Sequence, residues 1–393
     1  MRRLTLLIIT LCAFTIAGAQ GVAESPLLRM LAKVPDTPAA RAEILFSDRA
    51  AITAAYPPAQ MPASFAAFDA LMRGSTSSFP ALELWFNIFS GTSTDRMAMT
   101  LHLAEEMPAL VGFDFFDVQH ELTYGSPPQQ GFQFGGTFDI ESVRAALSSA
   151  GYAAVDADAG ELWCPESACD AGSAVNFALR NPANPFGGDL GRRFPLIIAP
   201  DTLIASPDEA LIQGHLAVAV GASPSLASAP AYSTAVALLA EGGVLMQAAI
   251  YPPAAAAPNA SGDTGLPPFT LFALGDVAAP DAQQTRVVLV YEDMRDAERA
   301  AELLPSLLNL PGGHRERPWN ALLADSHITE ITSEAVLRDD GLPAVILTLS
   351  GRRGTPEQIL GSESAAFAEP GGGFRLVLNG LWMRDLSWLN TAG

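Results

Sequence analysis

The chain has 393 residues, 49% of them hydrophobic and only 16% charged, which is enough apolar material for more than one core and the reverse of a disordered composition. Its 42 acidic residues against 22 basic ones give a formal net charge of −20, and such a surface repels phosphate backbones and anionic headgroups, excluding nucleic-acid and polybasic membrane binding. Lysine occurs once, at Lys33, which removes lysine nucleophiles and phosphate-binding lysines from consideration.

The N-terminus has the layout of a secretory signal. Arg2 and Arg3 form a positive n-region, residues 4–16 an apolar stretch, and Ala17-Gly18-Ala19 a small-residue cleavage site before Gln20. The apolar stretch is shorter than the roughly 20 residues of a membrane span, so no integral span is expected once it is cleaved. Cys12 is not a lipoprotein cysteine, because Leu11 stands where a small residue belongs. The expectation is a signal peptide over 1–19 and an exported chain, whether secreted, periplasmic or associated with the cell envelope. That chain keeps Cys164 and Cys169, and an even pair in an oxidising compartment predicts a local disulfide.

Residues 20–125 read as a mainly helical N-terminal region. Within it 43–46 is a strand, and Ser47-Asp48 caps a helix that runs to Tyr56 and stops at Pro57-Pro58. Residues 64–72 carry Phe65, Phe68 and Leu71 at helical spacing, and the aromatic-rich 80–89 reads as core. A helix over 95–107 is closed by Pro108. Residues 112–128 predict a short helix with Val118 and Leu122 inward, then a Gly-Ser-Pro-Pro corner.

A first α+β unit is expected over 126–252. Its clearest stretch is 131–152, which alternates as a strand through Phe132, Phe134 and Phe138. It then changes to helical spacing behind an N-cap at Asp139 and ends at Gly151. A strand returns towards Trp163, 176–193 is a long loop, and 196–205 a hairpin. Ser206-Pro207-Asp208-Glu209 has the form of a capping box, with a further helix over 232–239 and a strand over 243–250. Residues 253–268 are a linker by composition, and a second α+β unit fills 269–393. It holds strands at 269–274, 286–291, 328–337, 344–349 and 374–378, a helix at 294–304, and a capping box at Thr355-Pro356-Glu357-Gln358. In both units a strand, an acidic cap and an Ala/Leu helix follow one another. The predicted fold is therefore α+β: antiparallel sheets with helices on one face, as two loosely duplicated ferredoxin-like units.

Five segments taken together, GFDxFDV at 112–118, GSPP at 125–128, GGTFDxxxVRAALxxxGY at 135–152, TLIASPDEAL at 202–211 and SLASxPAY at 225–232, resemble an uncharacterised group of exported bacterial proteins and lipoproteins. The resemblance covers roughly the middle third of the chain. It implies an envelope or secreted location and carries across no functional residue.

Searches for chemistry return little. There is no nucleophile elbow, zinc-protease, Walker A or kinase motif, and His102, His120, His215, His314 and His327 have no ligand spacing. No catalytic residue and no cofactor is predicted. Asp114, Asp117 and Glu121, if helical, share a face and could offer oxygen ligands to Ca²⁺, but three ligands do not fill a shell of about 6–8 oxygens. Acidic residues at a helix start are the simpler reading. Asp156 to Glu161 reads as a polar hairpin turn, and Gly135-Gly136 and Gly371-Gly372-Gly373 as bulge or turn glycines. Trp382 and Trp388 either pack on the sheet or present an aromatic anchor. The expected function is that of a non-catalytic exported protein, a binding or structural component meeting an envelope component or protein partner. The alternative is a secreted hydrolase working through carboxylates such as Asp114, Asp117 or Glu121.

Overall fold

In the computed structural model residues 25–390 are described, apart from 59, 75–79, 91–100, 158–159, 166–168, 170–173, 257–263, 311–315, 340 and 363. The expected signal peptide, the start of the helix expected over 95–107 and the centre of the Pro/Ala-rich stretch lie outside the described residues.

Helix α1 (Pro26–Leu31) leads to strand β1 (Ile44–Asp48), whose last residue caps α2 (Arg49–Ala55) by accepting from the Ala51 N–H. Helices α3 (Phe65–Gly74), α4 (Pro80–Ser90) and α5 (Met107–Val111) follow, then β2 (Val118–Ser126) and β3 (Gln129–Gly136). Helix α6 (Ile140–Ser149) is capped by Asp139, and Gly151 at φ 77° turns the chain, as expected. Strands β4 (Tyr152–Ala157), β5 (Gly160–Pro165), β6 (Leu196–Ala199) and β7 (Thr202–Ala205) precede α7 (Glu209–Ala219) and α8 (Pro230–Leu239). Strand β8 (Val244–Tyr251), the short α9 (Pro253–Ala256), β9 (Leu271–Ala278) and β10 (Ala282–Val290) come next. The chain finishes with α10 (Met294–Leu307), α11 (Trp319–Asp325), β11 (Glu330–Val336), β12 (Ala344–Arg352), α12 (Pro356–Leu360) and α13 (Gly372–Trp382).

The described strands form one 12-stranded sheet in the order β11-β12-β10-β9-β8-β1-β2-β3-β7-β6-β5-β4, with every neighbouring pair antiparallel. The fold is thus α+β on a large antiparallel sheet. Both halves use one kind of connection. A three-strand meander ends in an acid-capped helix, α6 behind Asp139 or α10 behind Asp293, and the strands after the helix fill the sheet back towards the meander. Strands β1 and β8 pair antiparallel, so the two halves meet at that seam.

Several expectations change. The ferredoxin-like order is incomplete: strand-helix-strand-strand is present around α10, but the closing strand expected at 374–378 lies in α13. Phe374, Val377, Leu378 and Leu381 are all buried there and recur at i, i+3, i+4 and i+7, a helical period inside a segment short enough to pass for a strand. The helix expected within 112–128 is β2, preceded by a single 3₁₀ turn over Phe115–Asp117. Val118 and Leu122 fit a helix as well as a strand, and β2, buried on both faces in mid-sheet, has no clean alternation to decide it. Pro108 lies in the first turn of α5, where its missing N–H is not needed, and closes nothing. The cap of α7 is Asp208, which accepts from the Leu211 N–H at 3.1 Å, while Ser206 Oγ donates to the Gln130 carbonyl of β3 at 2.8 Å.

Helices cover both faces of the sheet, where one was expected. On one face, residues of α2–α6 such as Ile52, Trp85, Ile88 and Val143 pack on Phe132, Phe134 and Leu203, while α10, α11 and α13 pack on Leu274, Val287 and Leu347. On the other, α1 and α8 cover Ile44, Phe46, Leu122 and Val288, and Ile212 of α7 covers Leu162 and Ile204. Cys164 at the end of β5 and Cys169 are a disulfide-capable pair with Cα atoms 4.8 Å apart. The loop they close is short, so replacing both by serine is expected to cost about 2 kcal/mol in urea unfolding. A change near zero would show that the bridge does not constrain the unfolded chain.

Candidate functional site

Strands buried on both faces ordinarily read as continuous apolar runs. Five adjacent central strands here break that pattern at one level. Glu121 of β2 faces Ser47 of β1, Ser47 faces Gln247 of β8, Gln247 faces Asp276 of β9, and Asp276 faces Thr285 of β10. The first four are 0% exposed and Thr285 2%. They point to the face that carries α2–α6 and α10–α13, and they draw a polar line between its two apolar clusters.

Polar groups at that depth are unfavourable unless they are paired. Glu121 is met by Arg49, with Nη2 3.6 Å from Oε2, and Arg49 Nη1 donates to the carbonyls of Phe115 at 3.0 Å and Val118 at 3.4 Å. The guanidinium also lies 4.1 Å from the Phe115 ring centroid. Gln247 Nε2 donates to the Ile88 carbonyl of α4 at 3.2 Å. Asp276 Oδ1 accepts from Gln283 Nε2 at 2.6 Å, and Gln283 Oε1 accepts from the Tyr56 hydroxyl, also at 2.6 Å. Ser47 Oγ and Asp276 Oδ2 have no hydrogen-bond partner among the described residues.

Burial dominates at Asp276 and pushes its carboxyl up to about 7, against the pull of Gln283, the Arg375 guanidinium and the Gly371 N–H. Those last two belong to the head of α13, where Gly371 is the N-cap at φ 72°. Gly373 lets that helix settle on the sheet, since a Cβ there would stand 2.5 Å from Thr285 Oγ1.

Tyr56, itself 1% exposed, leads from the polar line to the back of a surface cleft. Its ring is part of the wall of a cleft of about 770 Å³, built from Tyr56-Pro57-Pro58 after α2, Pro80 and Leu82 at the start of α4, Pro280-Asp281 between β9 and β10, and Arg352-Arg353 through Pro356 after β12. Prolines at these bends fix φ and stiffen the walls. The Arg353 guanidinium lies 4.9 Å from the Tyr56 ring centroid and donates to the Ala279 carbonyl at 3.0 Å and to the Ala55 carbonyl. Arg352 lies 4.8 Å from the Phe367 ring centroid, and Asp281 and Glu357 also line the cleft. The arrangement offers apolar walls, two guanidiniums and a hydrogen-bonded path, Tyr56–Gln283–Asp276, into the interior.

The carboxylates singled out in the sequence do not converge. Asp114 and Asp117 form a capping box on the 3₁₀ turn: Asp114 Oδ1 accepts from the Phe116 N–H at 2.9 Å, and Asp117 Oδ2 from the Asp114 N–H at 2.7 Å. Burial holds the Asp117 carboxyl above its ordinary range. Glu121 lies beyond the turn on β2, paired with Arg49, so the helical face that would have joined the three is absent. Among the described residues no group of three or more His, Cys, Asp or Glu could hold a metal ion.

Other expected features fall into structural places. Gly371-Gly372-Gly373 opens a helix and not a strand. Trp388 is buried with its ring centroid 6.3 Å from that of Trp319, whereas Trp382 is 42% exposed and donates to the Tyr251 hydroxyl at 3.1 Å. His120 Nδ1 lies 3.1 Å from Asp48 Oδ1, and His215 bridges the Tyr124 hydroxyl and the Lys33 carbonyl. Tyr56, Asp276, Gln283 and Arg353 were not picked out in the sequence. The available signal was a lone polar residue inside a strand otherwise apolar, as in LFALGDVA.

No protein-family model matches the chain, and no curated protein matches it. Among solved structures it is similar to several crystal forms of TP0453, two of which give the measure. Form I is 8% identical over 84% of this chain and 94% of that one with a TM-score of 0.33, and form III is 9% identical over 81% and 92% with a TM-score of 0.36. A superposition this loose says nothing about the cleft.

Proposed function

We propose that the protein is a non-catalytic binding component of the cell envelope, exported by its signal-like N-terminus, and that the cleft beside Tyr56 takes a ligand with an apolar body and one anionic group. The observation that carries this reading is that Arg352 and Arg353, neighbours in sequence, both line the cleft, alongside Asp281, Glu357, five prolines and Tyr56, on a chain of net charge −20. The volume of about 770 Å³ suits a small molecule, for which sites commonly run to about 300–1,000 Å³. Arginine favours a planar or tetrahedral anion, while the acidic remainder of the surface turns away anions that lack apolar area to bury.

The probe for a test is 8-anilinonaphthalene-1-sulfonate, an aromatic body carrying one sulfonate. Saturable binding at one site is expected by fluorescence titration. Arg352→Glu should weaken it by about tenfold or more, the equivalent of losing one good ion pair. Arg352 is the residue to change, because the Arg353 guanidinium also holds the carbonyls of Ala55 and Ala279. No saturable binding, or equal binding by the variant, sinks the reading.

A further inference from the structure

Binding in the cleft leaves the buried end of the Tyr56–Gln283–Asp276 path without a task. We propose that Asp276 is a positioning residue that makes ligand binding in the cleft proton-coupled, acting through Gln283 and Tyr56; this rests on the cleft being the binding site.

The path is fixed at both ends. Outside, the Tyr56 ring lies against the Arg353 guanidinium, which is itself tied to two backbone carbonyls. Inside, Asp276 is 0% exposed, and its Oδ2 has no hydrogen-bond partner among the described residues. An ionised Asp276 can only accept. Gln283 must then turn its N–H to the carboxylate, which leaves Oε1 for the Tyr56 hydroxyl to donate into, the arrangement the distances record. A protonated Asp276 can instead donate to Gln283 Oε1. The amide then turns its N–H towards Tyr56, and every bond in the path reverses direction. One proton added at Asp276 therefore reverses the bonds directly behind the cleft wall, where Tyr56 is 1% exposed and Gln283 3%, and no atom need move far.

Among the described residues, the groups around Asp276 come from four elements. Tyr56, at the end of α2, is backed by Arg353; β10 supplies Gln283 and Thr285, and β8 supplies Gln247. From α13 come the Gly371 N–H and Arg375, which is paired with Glu369 at 2.5 Å. Burial pushes the Asp276 carboxyl up to about 7 and drives the Tyr56 hydroxyl upward, away from neutrality.

The direction follows from charge. An ionised Asp276 is a like charge to an anion in the cleft, and at an effective dielectric of about 20 two like charges about 10 Å apart weaken binding about tenfold. Binding should therefore be tighter when Asp276 is protonated. By linkage, an anionic ligand should raise the affinity of Asp276 for its proton by the same factor.

The test titrates 8-anilinonaphthalene-1-sulfonate into the full chain at about pH 5.5 and about pH 8.5. Wild type is expected to bind about five- to tenfold more weakly at the higher pH. Asp276→Asn should bind with the same affinity at both. Tyr56→Phe keeps the ring and the Asp276 carboxyl but cuts the path, so only the direct repulsion remains and its ratio should be smaller than that of wild type; Asp276→Ser, which also removes the carboxyl, decides the matter should Asp276→Asn fail to fold. The proposal is overturned if Asp276→Asn or Tyr56→Phe keeps the wild-type ratio, or if wild type binds equally at both values. Those outcomes leave the cleft standing as a binding site. Absence of binding at either pH, or wild-type binding by Arg352→Glu, removes the cleft reading itself and this proposal with it.

Discussion

Arg49→Leu is expected to lower the stability of the protein by about 3–5 kcal/mol in urea unfolding. Arg49 is 4% exposed and Glu121 0%, so removal of the guanidinium leaves a carboxylate in the core with its counter-charge gone. The carbonyls of Phe115 and Val118 lose a donor in the same step. Arg49→Leu with Glu121→Leu should recover most of the loss, because two apolar residues need no partner there. If the single variant loses less than about 1 kcal/mol, Glu121 is not held as a charge, and the double variant should then give no recovery.

A second large effect is expected in the dependence of stability on pH. His215 is buried between Tyr124 and the Lys33 carbonyl, and burial pulls it from 6.5 down to about 4. A base with a depressed folded pKa stabilises the fold fully above 6.5 and loses that contribution as pH falls towards 4, here about 3 kcal/mol. Asp276 has the opposite sign. Its carboxyl rises from 3.8 to about 7, so its contribution is present in acid and is lost as pH climbs through that window, about 4 kcal/mol.

These two terms nearly cancel in the wild-type curve and separate in the variants. Asp276→Asn should gain stability over wild type at about pH 8 and lose the gain by about pH 4, leaving a chain that weakens steeply in acid. His215→Gln, which can keep both hydrogen bonds, should instead grow more stable than wild type as pH falls. Urea midpoints at three pH values measure both, and curves parallel to wild type would refute the assignment.

Caps and alternation made much of this architecture readable. Asp48, Asp139, Asp293 and Thr355 stand one residue ahead of helices they do cap, because a side-chain oxygen that can reach the first free N–H groups is a local property. Elements buried on two sides were harder. In β2, Leu122 and Tyr124 serve one apolar layer while Glu121 serves the polar line on the other, so neither period stands out. In α13, Phe374, Val377 and Leu378 sit close enough to imitate alternation over five residues.

The candidate site was almost invisible for a different reason. Tyr56, Asp276, Gln283 and Arg353 are spread over nearly 300 positions; strand register brings Asp276 and Gln283 together, while Tyr56 ends α2 and Arg353 follows β12. Register depends on partners that no local pattern names. A lone aspartate in LFALGDVA nevertheless asks for a partner, and that question can be put to any buried strand.

The seam between β1 and β8 has a consequence for the order in which the protein can be made. Ile44 to Ser47 pair on one side with β2, about 75 residues on, and on the other with Gln247 to Ile250, about 200 residues on. A chain halted or cut before β8 therefore keeps an apolar strand with one row of N–H and C=O groups bare, a template for any other extended chain nearby. Synthesis has to run two-thirds of its course before that row can be closed, so truncated products should aggregate where the finished protein stays dispersed.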